Sequence, residues 1–321
     1  MHTPNHLLSP EVAILGGAVA ATLIGVAIAK ARRTPLADKL PLVGVMGAFV
    51  FAAQMLNFSF GDMGFSGHLI GAVLLAAMLG KWVGFLTLSG VLTLQALLFA
   101  DGGIMALGWN IVNMAAIGSL VVYPLIFEPM TKHHHSAGRL FGAGFLTSMV
   151  AVVVGAVCLT LEASLSGTGL PMGEFWGFML PSHIAIGVGE GLITGLVLAL
   201  VAARWPALLE CNSQRTKALR TNHKQAIAVF ALSALFMGAV SMAASERPDG
   251  LEWSLQRSMQ GGKTLAVEPI HHQADALQAS LAVAPDYEGD YTGLLATAGI
   301  LLVAWVGSNG SKRKRSEQQQ K

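Results

Sequence analysis

Long apolar runs, separated by short polar segments, dominate this chain. A helix of about 20 apolar residues crosses a bilayer core about 30 Å thick, and nine segments approach that length. They are residues 12–30, 41–57, 68–80, 83–100, 105–127, 140–162, 180–203, 225–244 and 292–307. The runs are continuously apolar and do not alternate every second residue, which excludes a membrane β-barrel. The pattern predicts an all-α, polytopic membrane helical bundle with about nine transmembrane helices.

Two of these runs are short for a full crossing. One of them is 68–80, which is separated from the next run, 83–100, only by Lys81 and Trp82. The pair is either a helical hairpin or a re-entrant segment followed by a span. The other short run is the last one, 292–307.

The basic residues predict the orientation of the bundle. If residue 1 lies outside, the segments on the cytoplasmic side hold 17 of the 20 Lys and Arg residues. Short cytoplasmic loops carry an excess of these residues. We therefore predict a multi-pass membrane protein, surrounded by lipid, with the N-terminus outside and the C-terminus in the cytoplasm.

The same pattern predicts two units joined by a linker. Residues 1–203 form a seven-span unit, 204–224 a basic cytoplasmic linker, and 225–321 a two-span unit. The second unit contains a polar outside loop, 245–291, with eight acidic and three basic residues. We interpret its neighbouring His271 and His272 as part of an exposed spacer, with weak attraction of cations as the alternative.

Composition excludes several functional classes. Hydrophobic residues make up 53% of the chain and charged residues 12%, whereas soluble domains carry about 25% charged residues. This argues against a soluble enzyme and against nucleic-acid binding. The segment GGKT at 261–264 lacks the first glycine of a P-loop, and no paired catalytic motif appears. We expect neither an enzyme nor a resident cofactor.

The N-terminus carries the strongest candidate chemistry. The first ten residues contain no Lys or Arg, so no signal peptide is predicted and Met1 is expected to be the mature terminus. The α-amine of Met1, with the amide nitrogen and imidazole of His2, can chelate a metal in one plane. Planar nitrogen sites suit Ni(II) or Cu(II). Topology places His68 on the same membrane face as a candidate fourth ligand, with His6 as a spare. The alternative is that His2 is simply the second residue of the chain and that His68 begins a helix.

Several segments resemble one known family. MHTPNHLLSP, AFVFAAQMLNF, SGHLIGAVLLAAMLG and QALLFADGGIMALGWNIVNM resemble the metal-binding membrane subunit of nickel/cobalt energy-coupling-factor (ECF) importers, the CbiM/NikM family. RPDGLEW, residues 247–253, resembles the signature of the two-span accessory component, the PDGLE type. The resemblance covers most of 1–203 and extends to the second unit, as in a fusion of the two.

The resemblance implies the substrate-binding component of an ABC-type importer for Ni(II) or Co(II) in the bacterial cytoplasmic (inner) membrane. It implies metal ligands at Met1, His2 and His68. It also implies partners: a transmembrane coupling subunit and two cytoplasmic ATPases. The family start usually has an acidic residue and Gly at the fifth and sixth positions, where this chain has Asn5 and His6.

Other polar and small residues have candidate roles that the sequence leaves open. Gly44, Ala48 and Ala52 form a small-residue stripe that permits close helix approach, either to the coupling subunit or within the chain. Intramembrane polar residues are site candidates by default; the alternative is a hydrogen bond that fixes the bundle. This group comprises Gln54, Asn57, Asn110, Asn113, His183 and Glu190. Glu162, at a predicted span end, receives no role.

A second function remains open at this point. His183 and Glu190 are seven residues apart and share a helix face, which suits a stand-alone, proton-coupled metal carrier. The sequence does not decide between nickel and cobalt, and it does not say whether metal binding needs the accessory unit. The run His133–His135 is either a cytoplasmic metal hand-off site or a solvated loop.

Overall fold

The fold comes from a computed structural model, which describes residues 1–33, 40–59, 61–211, 223–240, 247–283 and 285. The described residues are mostly helical. In chain order the helices are α1 Pro10–Ala31, α2 Leu40–Gln54, α3 Ala72–Leu79, α4 Lys81–Leu98, α5 Leu107–Thr131, α6 Ala137–Ser166, α7 Met172–Arg204, α8 His223–Val240, α9 Gly250–Ser258 and α10 Pro269–Leu281. A small antiparallel hairpin joins β1 Phe58–Ser59 to β2 Ser66–Gly67.

The described helices include five that are long and apolar enough to cross a membrane: α1, α4, α5, α6 and α7. The shorter helices α2 and α8 are also apolar. Each falls on a run that the sequence pattern identified, and the chain is a multi-pass membrane protein. The predicted span 292–307 and most of the predicted linker lie outside the described residues.

The third predicted span differs from a simple crossing helix. α3 has only eight residues, about 12 Å of helix, and the chain before it is not helical. The buried carboxylate of Glu190 accepts the backbone N–H of Ile70 at 2.5 Å and that of Gly71 at 2.9 Å. A carboxylate therefore satisfies donors just before the start of α3. His68 lies in this extended segment rather than on a helix.

α1 and α5 approach each other at glycine positions. A Cβ added to Gly108 would lie 2.3 Å from the backbone nitrogen of Gly17, and one added to Gly16 would lie 2.3 Å from the ring of Trp109. The Trp109 ring N–H also donates to the carbonyl of Val12 at 2.6 Å. Residues 1–9, the N-terminal arm, directly precede α1, so this contact helps to position the arm relative to α5.

Replacing Gly108 by Ala is expected to lower the thermal midpoint of the purified protein. The methyl group would overlap backbone that cannot move aside, and such overpacking costs about 1–3 kcal/mol. Gly90 of α4 is the matched control, because a Cβ there meets nothing within 4 Å. A Gly108→Ala protein that melts like the Gly90→Ala protein would contradict this account of the α1–α5 contact.

The loop predicted as an exposed spacer is folded onto the first unit. α9 packs against α7, and α10 contacts α4 and the N-terminal arm. His271 is 1% exposed, so its assignment to an exposed spacer is wrong, whereas His272 is exposed. Glu162 is also buried, because α6 continues past it to Ser166, and it accepts a hydrogen bond from Asn113 at 2.9 Å.

Candidate metal centre

The first nine residues form a buried arm above the helices. Met1 is 4% exposed and Thr3 is fully buried. The backbone N–H of Thr3 donates to the side chain of Asn110 at 2.9 Å, and its carbonyl accepts the N–H of Gly103 at 2.8 Å. Backbone bonds on both sides of Thr3 fix the direction in which Met1 and His2 point.

The arm brings the two predicted histidine ligands together. The rings of His2 and His68 stack, with centroids 5.4 Å apart and planes 15° apart. Nδ1 of His2 lies 2.9 Å from a carboxylate oxygen of Asp101. Nε2 of His2 is buried and has no hydrogen-bond partner among the described residues. One ring nitrogen is thus bound to a carboxylate and the other has free bonding capacity.

The N-terminal ammonium has a carboxylate partner from the second unit. It lies 2.6 Å from Oδ2 of Asp249. Burial raises the pKa of Asp249, but the charge of the N-terminal ammonium and the hydrogen bonds from that ammonium and from the N–H of Glu252 hold the pKa well below its ordinary value. Asp249 is therefore ionised at neutral pH and pairs with the ammonium.

His68 is prepared for ligation as a neutral imidazole. Its Nδ1 lies 3.2 Å from the carbonyl of Leu69, so Nδ1 carries the proton and Nε2 has the lone pair. Burial, reinforced by the charge of the N-terminal ammonium, lowers the pKa of His68 to about 4. Metal ligation needs neutral histidine, and this environment keeps His68 neutral.

A small cavity adjoins these groups. It has a volume of about 10 Å³ and is lined by Met1, His68 and Asp249 together with Gly67, Ile70, Ile186 and Gly250. That volume is about the size needed for one water molecule or one bare metal ion. The described residues contain no cluster of three or more His, Cys, Asp or Glu side chains arranged to hold a metal.

A wider groove leads to the arm from the surface. It has a volume of about 660 Å³, and His2 lines it. Four carboxylates also line it, one from the first unit and three from the second: Asp101, Asp249, Glu252 and Asp275. Acidic walls raise the local concentration of cations. The groove therefore offers a divalent cation an attractive route to His2.

The other predicted polar residues occupy several separate places. Gln54 donates to the carbonyl of Ile70 at 2.9 Å, on the segment that carries His68. Asn57 is half-buried near the start of the hairpin. His6 lines the wide groove rather than the small cavity. None of these three residues lines the small cavity.

His183 and Glu190, the predicted intramembrane pair, do not contact each other and so do not form a relay. Nδ1 of His183 donates to the carbonyl of Met179 at 2.8 Å, and its ring packs against Gly250. Glu190 instead binds the backbone before α3. The predicted docking stripe at Gly44, Ala48 and Ala52 is buried within the chain. The helix that carries it, α2, packs against α8 and α4.

Sequence reasoning missed the carboxylates. Asp101 and Asp249 stand inside the motifs ADGG and RPDGLEW, and both bind predicted ligand groups. Their presence in those motifs was the available signal. Nothing in the sequence pointed to Asp275, because its contact with the arm depends on how α10 docks.

Family models match both parts of the chain. Residues 2–208 match the model of the CbiM family, described as the cobalt uptake substrate-specific transmembrane region. The chain belongs to this family. Residues 224–308 match the PDGLE domain. The CbiM match covers all of the residues that form the candidate centre except Met1 and the Asp249 carboxylate, which belongs to the PDGLE segment.

Relatives of this CbiM-family chain include fused proteins. A fused nickel transport protein, NikMN, from Archaeoglobus fulgidus is 31% identical over 96% of this chain and 94% of its own length. A fused nickel transport protein, LarMN, from Lactiplantibacillus plantarum is 33% identical over 81% of this chain and 80% of its own. The crystal structure of a transition metal transporter aligns with a TM-score of 0.56 at 29% identity, covering 69% of this chain and all of that one.

Proposed function

We propose that this chain is the substrate-binding component of an ECF-type importer for Ni(II) or Co(II). The observation that carries the proposal is the stacking of His2 on His68 at 5.4 Å beside the buried N-terminal amine. The two histidines are far apart in sequence, and only the fold of the arm and of the extended segment before α3 brings them together. Nitrogen donors of this kind suit late first-row divalent metals.

In this proposal the metal binds in one plane of nitrogens. The amine of Met1 and the amide nitrogen and Nδ1 of His2 close adjacent chelate rings, and His68 supplies the fourth corner. Such a plane favours Ni(II), binds Cu(II) at least as strongly, and suits tetrahedral Zn(II) poorly. Loading requires the amine of Met1 and the amide nitrogen of His2 each to release a proton to water, and Nδ1 of His2 to turn away from Asp101.

The site is proposed to face outside, in the cytoplasmic membrane, with the acidic groove as its entrance. The distribution of Lys and Arg supports this orientation, because it places nearly all of these residues in cytoplasmic segments, as is usual for membrane proteins. The energy for uptake is proposed to come from a transmembrane coupling subunit and two cytoplasmic ATPases. The absence of a nucleotide-binding motif from the sequence supports a non-enzymatic role for this chain.

Uptake is expected to depend on the ATPases. Proteoliposomes that contain the full complex should take up radioactive Ni(II) or Co(II) only with internal ATP, and those with this chain alone should show background uptake. A matched preparation with an inactive ATPase controls for metal bound to the outside. Uptake by the chain alone, driven by a pH gradient, would contradict the proposal and favour a proton-coupled carrier.

The second unit is proposed to support metal loading by holding the arm. The N–H of Glu268 donates to Nδ1 of His271, so Nε2 carries a proton and donates to the carbonyl of Leu8 at 3.0 Å. Asn5 donates to Asp275 at 2.7 Å and to Gln278 at 3.0 Å. These contacts run along the arm from residue 5 to residue 8.

Replacing Asn5 by Asp is expected to weaken Ni(II) binding roughly tenfold, as loss of an outer-shell partner does. The new carboxylate would face Asp275 at the present 2.7 Å contact and repel it. Adding Asp275→Asn should restore binding, because one member of the pair again donates. Calorimetric titration of the single and double variants tests this. Equal affinity of the single variant and the wild type would contradict the proposed contact.

A further inference from the structure

Residues of the PDGLE signature contact the extended segment that carries His68. The carbonyl of Pro248 accepts the N–H of Ser66 at 2.8 Å, two positions before His68. Asp249 pairs with Ser66 as a parallel β-bridge. Leu251 is 1% exposed. The signature is therefore attached to the same extended segment that carries the fourth proposed ligand.

Gly250 permits this close docking. A Cβ on Gly250 would lie 2.5 Å from Cδ1 of Ile186 and 3.0 Å from Cε1 of His183. A side chain at this position would require Ile186 and His183 to shift, or the start of α9 to move away from α7. Because Asp249 directly precedes this glycine, a displaced helix would also withdraw its carboxylate from the amine.

The two oxygens of Asp249 have different partners. Oδ1 accepts the N–H of Glu252 at 2.8 Å and caps α9. Oδ2 lies 2.6 Å from the nitrogen of Met1. One carboxylate thus connects the first turn of an accessory helix to the nitrogen that is proposed to bind metal.

We infer that Asp249 is a positioning residue of the metal centre, supplied by the accessory unit, which orients the N-terminal amine toward the cavity beside His68. This inference rests on the proposed function. An amine bound to a metal keeps two N–H groups, and one of them donates to Oδ2. The lone pair is then directed away from Asp249. Partners of this kind hold metal ligands in position, and their replacement typically weakens metal affinity by about 10–100-fold.

Asp249→Asn separates this role from helix capping. Asn caps helices about as well as Asp, so the substitution keeps the shape and the cap of α9 and removes the charge beside the amine. Glu174→Gln is the matched control, since Glu174 is an exposed carboxylate on α7 that pairs with Lys263 and does not line the groove. His2→Ala is measured in parallel, as it removes a proposed ligand.

The experiment measures Ni(II) affinity by competition titration of the full-length purified chain and amide hydrogen exchange of Ser66. The inference predicts a 10–100-fold weaker affinity for Asp249→Asn, little change for Glu174→Gln, and unchanged protection of Ser66. Unchanged affinity in Asp249→Asn, with binding lost in His2→Ala, would overturn the inference alone. Weaker affinity with loss of Ser66 protection would also overturn it, because Asp249 would then act by holding the loop. Unchanged affinity in His2→Ala would overturn the proposed function.

Discussion

Inserting Gly-Pro between Met1 and His2 is expected to abolish tight Ni(II) binding and metal uptake. The insertion separates the amine from the amide and imidazole of His2, and Pro has no N–H to replace, so the chelate rings cannot form in sequence. Loss of this linkage should lower the affinity on the order of 10²–10⁴-fold. Competition titration of the purified chain and uptake by the full complex measure the two effects.

The same dipeptide inserted between Gly261 and Gly262 is the control. Both glycines are exposed in the turn that follows α9, and a Cβ on either meets nothing within 4 Å. We expect this variant to bind and transport as the wild type does. If the N-terminal insertion also leaves binding intact, the amine and His2 do not chelate together.

Replacing His68 by Ala is expected to have the second largest effect. The imidazole is the only proposed ligand outside the arm, and its loss leaves three nitrogens and one corner for water. The affinity should fall by more than the roughly 10–100-fold that an outer-shell partner is worth. The absorption of bound Ni(II) should shift as well, since an oxygen replaces a nitrogen. Both are read in one spectrophotometric titration.

His272→Ala is the matched control for this substitution, because His272 is exposed on α10 and lies outside the cavity lining. The control should bind as the wild type does. If His68→Ala also binds Ni(II) with wild-type affinity and spectrum, His68 is not the fourth ligand.

Much of the helical framework could be predicted because lipid imposes a simple rule. A segment that crosses the bilayer must bury its backbone polar groups in its own hydrogen bonds, so long apolar runs become helices. α1 and α4 to α7 follow this rule. α3 does not, because the carboxylate of Glu190 satisfies the backbone before it, and that contact comes from a helix more than 100 residues away.

The juxtaposition of His2 and His68 could be predicted from topology, since both residues fall on one side of the membrane. The carboxylates around them could not be predicted in the same way. Asp249 reaches the amine only because Gly250 allows α9 to dock on α7, and Asp275 reaches Asn5 only through α10. The loop that carries both appeared in the sequence as a polar spacer. Its docking depends on buried contacts such as Leu251, which local patterns do not specify.

The N-terminal Met-His segment is proposed to chelate the metal. The most direct test is the Ni(II) stoichiometry and absorption spectrum of the purified chain, with and without His2→Ala. The account predicts one diamagnetic, yellow, planar Ni(II) per chain in the wild type and none in the variant. Absence of tight Ni(II) binding in the wild type, or binding that survives the substitution, would contradict it.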